Sequence, residues 1–261
     1  MAAAAACPQE FLDLGERLVA ASGPILRRYF RSGLDVETKA DASPVTRADR
    51  ESEAALRALI ERAFPDHGIL GEEYGPARTE AEHLWVLDPL DGTKAFITGK
   101  PLFGTLVALL RAGEPILGII DAPALGERWV GAAGRPTVFN GRPVRTRACA
   151  ALSEAMLNTT TPDMFAGGDE AAFARLRGAV RGTHFGGDCY GYGLLACGFI
   201  DLGVEARMQP YDYLPLVPVI EGAGGRITDW RGAPLGLQEN AHVLAAGDPR
   251  LHEAAAALLS A

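Results

Sequence analysis

The stretch "WVLDPLDGTKAF" at 85–96 ends an apolar run in two carboxylates three residues apart, Asp88 and Asp91. Further acids stand at Glu72 and Glu73, closing the apolar run "GILGEE", and at Asp212 in "PYDYLP". No histidine or cysteine accompanies them, so the set suits a hard, oxygen-preferring divalent cation such as Mg²⁺ rather than zinc. Within "DPLDGT", Pro89 stiffens the turn, which lets the two acids converge with the Leu90 carbonyl between them. Gly92 permits a tight turn, and Thr93 then opens a helix whose first N–H groups form a phosphate site. Cation, phosphate cradle and hydroxyl together imply metal-assisted hydrolysis of a phosphate ester. Taken alone, the same spacing also describes a turn that merely caps a helix.

Four blocks in order separate the two readings: "SPVTRAD" at 43–49, "GEE" at 71–73, "WVLDPLDGTKAF" at 85–96 and "PYDYLPLVPVIEGAGGRITDW" at 210–230. In these blocks, and over nearly its whole length, the chain resembles the inositol monophosphatase superfamily. The resemblance implies that Glu72, Asp88 and the Leu90 carbonyl hold a first Mg²⁺, and that Asp88, Asp91 and Asp212 hold a second. A loosely bound third would lean on Glu72 and water, which gives Glu72 a share in catalysis. It implies further that Thr93 and Asp49 orient and deprotonate the attacking water, and that the Gly92 and Thr93 N–H groups hold the phosphate. Such cations offset phosphoryl charge, acidify a water and stabilise the leaving alkoxide, with no covalent intermediate. Glu73 has a supporting place, and Lys39 is a candidate neighbour of the metal-linked waters.

Selectivity is expected from the second half of the chain. Where many members of the superfamily carry Gly-Ser/Thr-Ala, this chain has Gly186-Gly187-Asp188. Asp188 with Glu205 offers two acids, which suits a substrate bearing a cationic amine; alternatively, Asp188 only caps the helix that it begins. The segments "DGTKAFITGKPLFGTLVALL" and "DCYGYGLLACGFIDLGVEARMQPYDYLPLVPVIEGAGG" resemble the histidinol-phosphatase branch of the superfamily, which implies histidinol phosphate as the substrate. Inositol-1-phosphate, hydrolysed with broad specificity, is the alternative. A nucleotide or sugar bisphosphate requires additional cations, for which Arg207 and Arg226 are the residues to inspect. A non-catalytic, Mg²⁺-binding scaffold is the reading of another class; the presence of Asp49, Asp91 and Thr93 argues against it. The run "GAGG" at 222–225 follows a helical pattern rather than a strand, so it ends a helix and is not half of a dinucleotide fingerprint.

The elements that must position these residues are legible in outline. Residues 9–31 have a helical apolar face (Leu14, Leu18, Ile25, Leu26, Tyr29) that Gly23-Pro24 should kink or split. A second helix starts at Thr46 with Asp49 in capping-box position, and Asp49 and Glu53 share one face. Strand patterns follow at "GILGEE", "LWVLD", "GTLVALL", "PILGIIDAP" and "ERWVGAAG". Arg111-Ala112-Gly113-Glu114 and Asn140-Gly141 are hairpin turns. Then come a helix over 169–178, strand 183–185, helix 188–198, strand 200–206, a helix from Asp212, strands in "GGRITDW" and "HVLAAG", and a terminal helix. Interleaved helices and strands predict a layered α/β or α+β fold. The resemblance sharpens this to the α-β-α-β-α sandwich of the inositol monophosphatase and fructose-1,6-bisphosphatase type. One domain over 1–261 is expected, with most metal ligands in a half spanning about 8–145 and Asp212 and the specificity residues in a half spanning about 146–261.

Bulk properties agree with such an enzyme. The chain of 261 residues is 48 % hydrophobic and carries a net charge of −8, which argues against nucleic-acid and anionic-membrane partners. The four cysteines have no CxxC or disulfide-like spacing. The first residues lack the charged and apolar regions of a secretory signal, and no apolar run spans a bilayer. A cytoplasmic protein is expected, and the family resemblance implies a homodimer.

Overall fold

The computed structural model describes residues 6–33, 36–38 and 44–261, so Lys39 lies outside the described residues. The helices are α1 (Gln9–Tyr29), α2 (Arg47–Ala63), α3 (Thr93–Ile97), α4 (Gly168–Ala179), α5 (Asp188–Ala196), α6 (Pro210–Tyr213), α7 (Leu216–Gly222) and α8 (Pro249–Leu259). The strands are β1 (Val36–Thr38), β2 (Pro44–Thr46), β3 (Gly68–Gly71), β4 (Gly75–Ala77), β5 (His83–Asp91), β6 (Gly104–Arg111), β7 (Glu114–Ala122) and β8 (Glu127–Ala132). They continue with β9 (Val138–Phe139), β10 (Arg142–Pro143), β11 (Met156–Thr159), β12 (Gly182–Phe185), β13 (Leu202–Met208), β14 (Arg226–Thr228) and β15 (Ala241–Ala246).

β1 and β2 pair antiparallel, and the others make two mixed sheets. The larger runs β10-β9-β8-β7-β6-β5-β3-β4 and the smaller β12-β11-β13-β15-β14. Alternation along β5 shows how layers arise: Trp85 and Leu87 face α1 and α2, joining Leu14, Leu18, Leu56 and Ile60 in one core. Leu84 and Val86 face the other way, into a core with Leu195, Tyr213, Leu216 and Ile220 from α5–α7 and Val243 and Ala245 from the small sheet. The far side of the small sheet packs Leu202, Val204 and Leu244 against Phe173 and Leu176 of α4 and Leu251 and Ala255 of α8. Helix, sheet, helix, sheet and helix layers follow one another, as expected. The central layer fits closely, because a Cβ on Gly118 of β7 would meet the Pro215 carbonyl oxygen at 2.0 Å.

α1 continues through Pro24 instead of splitting there. The α2 capping box forms between Thr46 and Asp49. Both expected hairpin turns form, with Ala112 and Gly113 (φ 51° and 86°) and Asn140 and Gly141 (φ 46° and 76°) in the left-handed region that two-residue turns demand. The helix expected from Asp212 instead begins at Pro210 and breaks into α6 and α7 around Pro215. Among the described residues, no helix is long and apolar enough to cross a membrane.

Candidate active site

β5 does not stop at Asp88 but continues to Asp91 with a register shift: Asp88 pairs with Leu106 and Asp91 with Gly104. The three-residue step on β5 thus matches a two-residue step on β6. One extra residue is a β-bulge, and it turns Asp91 onto the face that Asp88 occupies. Leu90 fills the gap behind them, packed with Leu26, Ala48, Phe96 and Phe103. The Leu90 N–H donates to Asp88 Oδ1 at 2.9 Å. Asp212, arriving on α6 from beneath the sheet, completes a trio with carboxylate oxygens within 4.8 Å of one another.

Glu72 lies one residue past β3, its N–H bonded to the Leu87 carbonyl at 3.2 Å. The turn that carries it is anchored by Glu53, a fully buried residue of α2 whose carboxylate accepts from the Glu73 N–H (2.7 Å), the Tyr74 N–H (3.2 Å) and Arg57 Nε (2.7 Å). Sequence reading placed Glu53 on the Asp49 face but missed this anchoring role, for which the shared helix face was the available signal.

Burial raises the carboxyls of Asp88 and Asp212 well above the usual range and that of Asp91 above it, and repulsion from Glu72 and from one another adds to the effect. Asp49 is raised in the same way, by burial against opposing hydrogen bonds from Thr46 and with a contribution from Glu72. Asp49 Oδ2 accepts from the Thr46 N–H (2.8 Å) and hydroxyl (2.6 Å), while its Oδ1 is buried without a partner. Convergent carboxylates, that of Asp88 buried and those of Asp91 and Asp212 half-buried, and an orphaned buried Asp49 oxygen fit a divalent cation with its water shell.

The Thr93 hydroxyl donates to the Leu90 carbonyl at 3.1 Å and makes no bond to Asp49. Thr93 is satisfied within its own turn, and the capping box already occupies one Asp49 oxygen. Gly92 adopts φ 80° as the N-cap of α3, and a Cβ there would lie 3.2 Å from Asp188 Oδ2.

Asp188 does not cap α5. Gly187 holds the cap position without a side-chain bond, and Asp91 Oδ2 takes the capping role by accepting from the Cys189 N–H at 2.7 Å. Asp188, at φ 45°, is left with its carboxyl on Gly92, in backbone that disfavours non-glycine residues. It lines a cavity of about 180 Å³ with Asp91, Asp212, Tyr192, Glu205 and Thr160. Glu205, buried on β13, accepts from the Thr160 N–H (2.8 Å) and hydroxyl (3.0 Å). Burial pushes Asp188 up to about 7, helped by Asp91 and opposed by Lys94 and Lys100. Burial likewise takes Glu205 up to about 8 against the Thr160 bonds. Thr160 and Tyr192 are site residues that the sequence reading missed; the "NTTT" run before a proline was the only hint of the first. Arg207 lies at a second bulge, between Glu205 and Met208, with φ 61° at the cavity wall. Arg226 pairs instead with Glu253 of α8 at 3.8 Å and lines no part of this cavity.

Two mixed sheets enclosing a helical layer, with carboxylates gathered where a bulged strand meets a helix start, define a phosphatase class that family comparison identifies. The chain belongs to the inositol monophosphatase family, whose model matches residues 8–261. It is 50 % identical over 254 residues to the chloroplastic bifunctional phosphatase IMPL2 of Arabidopsis thaliana, covering 94 % of this chain and 73 % of that protein. It is 38 % identical to a histidinol-phosphatase of Chlorobaculum parvum, covering 85 % and 86 % of the two chains. A solved inositol monophosphatase from Zymomonas mobilis superposes with a TM-score of 0.90 at 47 % identity, covering 97 % and 98 %.

Proposed function

We propose that the chain is a Mg²⁺-dependent phosphatase that hydrolyses L-histidinol phosphate to L-histidinol and phosphate, working as one domain over 1–261. The observation that carries the choice of ester is the freeing of Asp188: with Asp91 capping α5, the Asp188 carboxylate is left to face the cavity beside Glu205. Two carboxylates around so small a space favour a cationic alcohol portion over a neutral polyol. The relatives named histidinol-phosphatase support the same reading.

Asp88, Asp91, Asp212, Glu72 and the Leu90 carbonyl would hold two to three Mg²⁺ ions. Bound there, the cations would supply charge neutralisation of the phosphoryl group and acidification of water. Asp49 holds its Oδ1 toward the attacking water as proton acceptor, and Thr93 orients that water once its hydroxyl turns from Leu90. The Gly92 and Thr93 N–H groups position the phosphate at the start of α3. Asp188 and Glu205 hold the amine of the leaving alcohol.

Inositol-1-phosphate is the second reading, favoured by the 47 % identity to the Zymomonas mobilis enzyme. One experiment tests both: phosphate release from histidinol phosphate and inositol-1-phosphate side by side with millimolar Mg²⁺. The expected result is a kcat/KM preference for histidinol phosphate, and Asp188→Asn should raise KM for that ester more than for the inositol ester. No release from any ester, as for a non-catalytic scaffold, would falsify the catalytic reading. Equal effects of Asp188→Asn on both esters would remove Asp188 from substrate recognition.

A further inference from the structure

Tyr192 projects from α5 with 3 % exposure, its ring packed on Gly203 of β13, where an added Cβ would meet Cε1 at 3.0 Å. Its hydroxyl is buried and has no hydrogen-bond partner, yet the residue lines the same cavity as Asp188 and Glu205. Burial, with the charges of Glu205, Asp91 and Asp212, holds its proton well above the usual tyrosine range, so the hydroxyl stays neutral. A buried, unpaired hydroxyl is unfavourable, and phenylalanine would pack equally well without it. The hydroxyl therefore needs a partner that the protein alone does not supply.

A primary ammonium has three N–H donors and no acceptor. Asp188 and Glu205 provide carboxylates for two of them. A third carboxylate would add charge to a cavity already crowded with it, whereas a neutral oxygen would not. Glu205 also has acceptor capacity left, since its Oε2 receives only a long contact from Thr159 at 3.5 Å.

We infer that Tyr192 is a specificity-determining residue whose hydroxyl oxygen joins Asp188 and Glu205 in a three-acceptor seat for a primary alkylammonium on the leaving alcohol. The third N–H of the bound ammonium then supplies the partner that the Tyr192 hydroxyl lacks. This rests on the proposed amine-bearing ester.

The test compares wild type and Tyr192→Phe on histidinol phosphate and on its deamino analogue, with thermal melting of both proteins. The variant should raise KM for the amine ester about 10-fold more than for the analogue, the loss expected for one hydrogen bond to a charged group. Its kcat should move less, and its metal-free melting temperature should not fall. Wild type that treats the two esters alike overturns the amine reading and the seat with it. Wild type that discriminates, with a variant that discriminates equally, overturns the role of Tyr192 alone. A lower melting temperature with equal KM changes on both esters would make the tyrosine a packing residue only.

Discussion

Asp91 has two duties at once: one carboxylate oxygen receives the Cys189 N–H, and the group also belongs to the acid trio with Asp88 and Asp212. Asparagine can keep the first duty, because its amide oxygen still accepts, but it surrenders the charge of the second. Asp91→Asn should therefore fold and cap α5 while losing turnover on the order of 10³-fold, the scale of several kcal/mol of cation-mediated stabilisation. It should also melt higher than wild type in EDTA, because one of three mutually repelling carboxylates is gone. Steady-state kinetics and melting curves check both parts, and full activity would refute the metal assignment.

At the scale of the element, sequence reading succeeded where the signal is local. Capping boxes and two-residue turns are written in adjacent residues, so α2, the 111–114 hairpin and the Asn140-Gly141 turn are legible. It failed where a distant partner decides. The end of β5 was misjudged because a bulge is a property of pairing with β6. Asp188 looked like a cap because nothing local shows Asp91, 98 residues upstream of Cys189, arriving to take that role. β11 was overlooked because "MLNT" carries little alternation and is held as a strand by β12 and β13 on either side. The Glu72 turn supplies the prediction at this scale. A Cβ on Gly71 would fall 2.0 Å from Glu53 Oε1, so Gly71→Ala must move a buried, three-bonded carboxylate. The expected loss is about 2–4 kcal/mol in denaturant unfolding, with KM for Mg²⁺ raised because Glu72 moves with its turn. An unchanged midpoint would mean that α2 yields more easily than the packing indicates.

Across the whole molecule, stability should depend on both cation and pH. Cations that bind the folded acids but not the unfolded chain stabilise by mass action, about 2.7 kcal/mol at 100 times Kd. Millimolar Mg²⁺ should raise the melting temperature of wild type, and raise that of Asp91→Asn much less. A second dependence lies far from the site, where His252 of α8 shares a 2.8 Å bond between Nε2 and the Thr228 hydroxyl while its Nδ1 is buried unpaired. Burial, with the Arg226 charge, pushes this histidine down to about 4 from its ordinary 6.5. The unfolded chain thus binds the proton more readily, so stability from the neutral ring is fully present above pH 6.5 and declines as pH falls toward 4. The decline is ~2 kcal/mol once screening is allowed for. His252→Gln should flatten that part of the melting profile, and an unaltered slope would assign the acid sensitivity to other groups.

The bond from the Cys189 amide to Asp91 has one more consequence. It ties the first turn of a helix in the central layer to a carboxylate of the proposed cation site, so the lifetime of that single N–H should gauge the site's occupancy. Amide hydrogen exchange at Cys189 should slow when Mg²⁺ fixes Asp91 and quicken when a chelator releases it. A backbone proton would then report loading of the acids without any substrate being turned over.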